Sequence, residues 1–352
     1  MWRDLDIEIP DSLDGARADA AVLALFPESS RRAVAKAFAD GAVGVLTAVL
    51  PPALRATPLS EGGNISHLSP LPSHLSPLAK GERVRAGQCL HIAALHAAAD
   101  LRVAPEPGAP LAVVYLDDDL VGVSKPAGQD CHPSDFDEPG TLAAALVARF
   151  PETAALGDDP LAPGLLHRID GGTSGLVLAA RNARAYAAVR AQFEAQTVVK
   201  EYRALVEGRV ERAGAVSGLL AHSWRGGEMR MVRAAPGHHG ARALRAETFF
   251  RPLAFFRRGV PVGTLPQREN PFTPEAVPRS LDDVTLLAVT IRTGVTHQIR
   301  SQLAEVGHSV VGDVLYGARA VPEWREGTHA LHSWSAEFTH PATGRRIVVR
   351  AV

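Results

Sequence analysis

Apolar residues first recur at helical spacing between positions 17 and 26, where Ala20, Leu23 and Ala24 share a stripe and Pro27 closes the run. Ser29 and Ser30 then offer an N-cap to a second helix over residues 31–38, and Gly41 turns the chain into a strand beginning at Val43. A closing strand follows at 89–93. Alternation resumes in two strands at 111–115 and 120–124, joined by Asp117, Asp118 and Asp119, which read as a solvated hairpin turn rather than a cation site. Residues 141–150 form an amphipathic helix with Leu142, Ala145, Leu146 and Phe150 on one face. The continuous apolar run 176–180 is short enough for a buried strand. Helix 183–195, with a stripe of Tyr186, Val189 and Phe193, precedes strands at 198–206 and 285–291. A last helix starts near His297, faces Ile299 and Leu303 inward and ends at Gly307.

Three stretches break these patterns. Residues 51–80 are dense in Pro, Ser, His and Leu and contain two near-copies of a heptad, at 66–72 and 73–79. Prolines so close together exclude helix and sheet interior, so a looped insertion is expected. His67 and His74 have no third ligand nearby in sequence and do not make a metal site. Residues 94–109 read as a linker, and 252–280, with six prolines, as an extended loop. The chain therefore divides into a small module at 1–93, carrying the insertion, and a larger domain at 110–352.

Composition narrows the class. A chain of 352 residues with 46% hydrophobic content buries a full core. Its two cysteines, Cys89 and Cys131, are too few for a disulfide framework, and a reducing cytoplasm is expected. No apolar run approaches the ~20 residues a membrane span needs, and the acidic N-terminus lacks a signal-peptide layout. Net charge is −1, so any phosphate-binding surface is local. Between Trp224 and Arg258 there are eight arginines (225, 230, 233, 242, 245, 251, 257 and 258) against Glu228 and Glu247, with five aromatic residues interleaved. A solvated face and a phosphate-tracking surface both fit that run.

The chemistry centres on Leu165-Leu166-His167-Arg168-Ile169-Asp170-Gly171-Gly172-Thr173-Ser174-Gly175, which leads into the apolar run. One acid stands between a base and two glycines, on a tight loop at the mouth of a sheet. Asp170 either caps that turn and pairs with Arg168, or is a catalytic side chain on a rigid scaffold. His-Arg-Ile-Asp-x-x-Thr-Ser-Gly resembles the active-site motif of the RluA-type RNA pseudouridine synthases. Further stretches resemble the same family in order: Ser124-Lys125-Pro126-Ala127-Gly128 with His132-Pro133, then 200–208 (KEYRALVEG) and 293–300 (TGVTHQIR). They are followed by 307–317 with Gly312-Asp313-x-Leu315-Tyr316-Gly317, Ala330-Leu331-His332 and His340-Pro341-x-Thr343-Gly344. The resemblance spans roughly residues 110 to 350.

It implies an α+β catalytic domain on a mixed, mainly antiparallel sheet with flanking helices, which acts on ribosomal or transfer RNA as a monomer without metal or organic cofactor. Asp170 is the expected catalytic carboxylate, with Tyr202 against the target base and Arg300 paired to the aspartate. Read from the strand alone, Tyr202 is a core tyrosine, and the resemblance reverses that reading. Arg168, His167, Thr173, Gly175, His297, Gln298 and Lys125 lie in the matched motifs and are expected to bind substrate. The first module, with Ser-Arg-Arg-Ala and Asp-Gly-Ala-Val in place, resembles a small α/β RNA-binding domain first known from a ribosomal protein. Where the family commonly has basic residues this chain has Gly171 and Val295, and Gln302 stands at a usual histidine. Two rival readings remain: an RNA-binding protein of this fold without turnover, and a hydrolase using Asp170 with His167.

Overall fold

The computed structural model describes residues 1–46, 75–97, 101–134, 138–225, 228–234, 243–262, 271–272, 277–322 and 324–351. Most of the proline-rich insertion lies outside these residues, including His67 and His74, as do His238, His239 and Arg242 of the basic run. The chain forms two compact units that meet in sequence at Arg102 and Val103.

The first unit is a four-stranded antiparallel sheet with two helices. β1 (Trp2–Glu8) leads to α1 (Ala18–Leu25) and α2 (Arg31–Ala39), then to β2 (Val43–Leu46), β3 (Leu75–Pro77) and β4 (Cys89–Leu95), in sheet order β1-β4-β2-β3. The Ser30 hydroxyl accepts from the Ala33 amide at 3.1 Å, so the expected cap is in place. Ala18, Ala21 and Val22 of α1 and Val34 and Ala37 of α2 close on Leu90 and Ile92, while Arg31 and Arg32 stay exposed. The expected loop at 51–80 is corrected at its end. Leu75–Pro77, inside the second heptad copy, is an edge strand, the one place in a sheet where a proline costs no ladder bond.

In the second unit, β5 (Val113–Leu116) and β6 (Leu120–Lys125) form the hairpin, and α3 (Leu142–Arg149) follows. Then come β7 (Ser174–Ala180), α4 (Ala183–Glu194), β8 (Val199–Glu207), β9 (Gly214–Arg225), β10 (Glu228–Arg233), β11 (Leu244–Arg257), β12 (Val260–Val262) and β13 (Asp283–Ile291). The unit closes with α5 (Gln298–Glu305), β14 (Leu331–Thr339) and β15 (Arg346–Arg350). Nine strands lie in the order β10-β9-β11-β13-β8-β14-β7-β6-β5, with β12 beside β11 and β15 beside β14. All described pairings are antiparallel except β14 with β7. This is the α+β class expected.

β7 is buried from Gly175 to Ala180 because both its faces are covered, which is why its sequence shows no alternation. α3 and α4 start where Thr141 and Asn182 accept from the amides three residues on. Two expectations fail. Residues 252–262 are not loop: β11 runs through Pro252 to Arg257 and turns into β12, and the register shifts between Pro252 and Ala254, so the proline sits at a bulge. Nor is 94–109 all linker. β4 extends to Leu95, and Glu106 is tied to the catalytic unit by its amide on Ala144 O and its carboxylate on the Gly140 amide.

The acidic hairpin forms at Asp117–Asp119, with Asp118 exposed, but the acids on either side of it are engaged. Asp119 is buried, and its Oδ1 accepts from Asn182 and Arg184, while Asp117 takes the Asp119 and Leu120 amides, His340 Nε2 and the Tyr115 hydroxyl. The turn is a rivet holding α4 and the C-terminal strands. Among the described residues no helix is long and apolar enough to cross a membrane.

Candidate active site

Asp170 sits in the loop just before β7, and the loop is braced from both sides. The Cys131 thiol donates to Ile169 O at 3.3 Å and accepts from the Ile169 amide at 3.4 Å. Beyond the aspartate, Gly171 O accepts from the Gly128 amide at 2.7 Å and from Lys125 Nζ at 3.1 Å, and the Thr173 amide donates to Asp170 O. At Gly175 (φ 104°) a Cβ would lie 2.2 Å from Ser333 O, so only glycine lets β14 come alongside β7.

α5 supplies the opposite wall. Every residue from Gln298 to Leu303 is buried, so its polar members must find partners inside. Arg300 finds two carboxylates: Nε and Nη2 grip Asp313 at 2.6 and 2.8 Å, which aims Nη1 at Asp170 Oδ2, 2.9 Å away. Its guanidinium lies over the Tyr316 ring, 5.2 Å from the centroid. No described donor reaches the second oxygen of Asp170, and a quarter of this side chain is exposed. Burial alone would raise the Asp170 pKa. The Arg300 guanidinium, by its charge and its hydrogen bond, outweighs it, holding the carboxyl below its ordinary value of 3.8 and thus ionised.

Tyr202 projects from β8, buried and within electrostatic reach of Asp170; burial and that carboxylate push its phenol well above the ordinary range. His297 Nε2 is 3.9 Å from Asp170 Oδ2. His329, which bonds Thr173 Oγ1 at 2.8 Å, also lies within reach of Asp170 and is held neutral, its pKa lowered by burial to about 4.

The fold thus brings Asp170, Tyr202, Arg300 and His297 together, and it gives several expected substrate contacts other work. Lys125 is 1% exposed, and its three ammonium protons go to Pro126 O, Gln129 O and Gly171 O. Gln298 accepts from Thr293 Oγ1 and the Val295 amide and donates to Glu247 O and Thr248 Oγ1, which uses its whole amide. Thr173 is buried on His329, and Gly175 serves strand packing. His167 is stacked on Phe193, and its Nε2 accepts from the Leu178 amide at 3.0 Å. Burial lowers its pKa to about 3. In the free protein Lys125, Thr173, Gln298 and His167 Nε2 are engaged in bonds within the fold, and Gly175 lets β14 approach β7.

Arg168 is exposed and bonds His132 rather than Asp170, so the turn-pairing alternative fails. With His167 engaged elsewhere, the hydrolase rival fails too. The sequence reading had left Asp313, Tyr316 and His329 without roles. The motif Gly312-Asp313-x-Leu315-Tyr316-Gly317 was the available signal for the first two. As for the departures, a Cβ at Gly171 would meet Asp130 Oδ1 at 2.5 Å, and Gln302 is a core residue bonded to Thr248 and Ala246 O. Among the described residues no group of three or more His, Cys, Asp or Glu side chains is placed to hold a metal.

An ionised aspartate paired on one oxygen, beside an aromatic residue and opposite an arginine, on a mainly antiparallel sheet, defines an RNA-modifying isomerase once relatives are considered. The sequence model of the family described as RNA pseudouridylate synthase matches residues 119–305. A ribosomal large subunit pseudouridine synthase D from Nitrosomonas europaea is 30% identical over 97% of this chain and 82% of its own. The protein of the same name from Pseudomonas aeruginosa is 29% identical over 97% and 89%. In fold, the chain is similar to human RNA Pseudouridylate Synthase Domain Containing 1, with a TM-score of 0.50 at 24% identity over 70% of this chain and 85% of that one. The chain belongs to the RluA-type RNA pseudouridine synthase family.

Proposed function

We propose that this isomerase converts uridine to pseudouridine in large-subunit ribosomal RNA, with Asp170 as the catalytic carboxylate. The observation that carries the assignment to Asp170 is its divided state: one oxygen is held by Arg300, the other has no described donor, and the carboxylate lies within electrostatic reach of Tyr202. The reaction breaks the bond from ribose C1′ to uracil N1 and rejoins the base through C5. An ionised carboxylate drives it, either by attacking C1′ or by assisting elimination. The target base leaves its stack at a cost of a few kcal/mol, smallest in loops and bulges. Tyr202 offers it a stacking face. Its phenol is protonated in the free enzyme, so accepting the C5 proton requires handing its own onward. Arg168, exposed at the loop, helps displace the base.

The choice of ribosomal RNA follows the names of the two bacterial relatives. Phosphate contacts are assigned to the β9–β11 arm, where Trp224 is 72% exposed and Arg245, Arg257 and Arg258 face solvent, and to Arg31 and Arg32 of the first unit. The reading carries with it action as a cytoplasmic monomer without metal or cofactor.

The test is tritium release from RNA labelled at uridine C5, with ribosomal and transfer RNA as separate pools and Asp170→Asn beside the wild type. Release by the wild type alone, from ribosomal RNA, is expected. Release from transfer RNA only would overturn the substrate, and equal release by Asp170→Asn would overturn the role of the aspartate.

A further inference from the structure

His297 begins α5 in the left-handed region, at φ 51° and ψ 18°, a conformation that few side chains besides Asn, Asp and His adopt. The turn sets the imidazole against Asp170 without bonding it: at 3.9 Å, Nε2 is beyond hydrogen-bond range of Oδ2. The other ring nitrogen is held. Nδ1 lies 3.0 Å from the Tyr316 hydroxyl, and the two rings meet edge to face. That hydroxyl accepts from the Met231 amide at 2.8 Å, which leaves its proton for Nδ1 and puts the imidazole proton on Nε2. Burial, with Arg300 and His222 adding to it against Asp170, keeps the ring neutral. The result is an uncharged N–H close to the catalytic carboxylate, 3.9 Å from the oxygen that Arg300 holds and not bonded to it, fixed by a relay that starts on the edge strand β10.

Resting on the reaction assigned to Asp170 above, we infer that His297 is a catalytic donor: its Nε2–H bonds a carbonyl oxygen of uracil as the base leaves the ribose, and Tyr316 is the positioning residue that sets the tautomer. The bond breaks heterolytically, and its electron pair leaves with uracil as negative charge spread over the ring oxygens. On one route an Asp170 oxygen takes C1′; on the other the carboxylate takes the 2′ proton. When C5 rejoins C1′ the pair returns: the Asp170–C1′ bond breaks on the first route, and the 2′ proton goes back from the carboxyl to C2′ on the second; C5 then gives up its proton and N1 gains one, so nothing is oxidised or reduced. The histidine keeps its proton throughout. A donor whose bond strengthens as charge develops lowers the barrier more than it aids binding. A neutral ring also avoids pairing with Asp170, which an imidazolium would do.

The experiment compares wild type, His297→Ala, His297→Asn, Tyr316→Phe and Asp170→Asn in single turnover on a target RNA carrying uridine or 5-fluorouridine. The reaction is read by mass spectrometry of the digested nucleosides as loss of the starting nucleoside, because C5 of 5-fluorouridine has no proton to give up and its rearranged product cannot become pseudouridine. Asparagine tolerates the left-handed turn, and melting curves identify any variant that fails to fold. Fluorine stabilises the uracil anion by itself. His297→Ala and His297→Asn should therefore lose about 10²-fold in the rate at saturating RNA, with little change in binding, and much less on the fluorinated substrate. Tyr316→Phe should fall between them and wild type with the same rescue. Equal loss on both substrates, or a loss confined to binding, would overturn the role of His297 alone. A wild type no faster than Asp170→Asn on either RNA would overturn the assigned reaction and this role with it.

Discussion

Two turns of the catalytic unit carry aspartates and end in different states. At Asp117–Asp119 the protein supplies several donors: Asp117 takes two amides, a histidine and a tyrosine over both oxygens, and Asp119 takes Asn182 and Arg184 on one. At Asp170 the protein supplies one bond, from an arginine already shared with Asp313, and leaves the rest of the group unpaired. Both sites hold their acids ionised. A low pKa therefore does not separate structure from chemistry here. Unfilled hydrogen-bonding capacity does.

The widest separation between the two turns is expected from isosteric replacement. Asp170→Asn should lower activity by at least about 10³-fold and leave the melting temperature unchanged or raised, because Arg300 keeps Asp313. A fall in stability matching the fall in activity would erase the contrast. Next comes Arg300→Gln, which takes the shared cation from the buried Asp313 and the part-exposed Asp170 and should cost about 3–5 kcal/mol in urea unfolding. With the guanidinium gone, burial prevails and the Asp170 pKa rises. The acid limb of the pH–rate profile should then move to higher pH. The sign follows from linkage: a depressed carboxyl pKa contributes stability above its unfolded value, and that stability is lost as pH falls through the folded one. Asp119→Asn should cost about 1–3 kcal/mol by thermal melting with turnover intact, the mirror image of the first variant. The smallest effect belongs to the exposed arm: Arg245→Ala should weaken RNA binding a few-fold and reduce the slope of log affinity against log salt by about one, with the chemical step unchanged.

Periodicity located all five helices and placed the catalytic loop at the mouth of a buried strand, because a helix stripe or an apolar run is a local signal. It lost Leu75–Pro77 and Pro252–Val262 because proline reads as a breaker, whereas edge strands and bulges accept it. Motif spacing found Asp170, Tyr202 and Arg300. The same spacing drew in Lys125, His167, Thr173, Gly175 and Gln298, since a motif residue that braces a loop and one that touches substrate look alike until partners are known. Asp313 and His329 went unassigned for a related reason. Their contribution is to orient Arg300 and Thr173, and such a role exists only in three dimensions.

The parallel pairing of β14 with β7 has a consequence for the order of events in folding. His332 and Ser333 lie beside Ser174 and Gly175 across some 158 residues of chain. The loop carrying Asp170 ends at one of these strands, and His329 stands just before the other. Contacts of such sequence separation carry a high loop-closure cost and form late. The helices and local hairpins are thus free to assemble before the catalytic centre exists. A chain still emerging from the ribosome would carry its acid in a loop held by Lys125, Gly128 and Cys131 but without Arg300 or His329 until the later segments arrive.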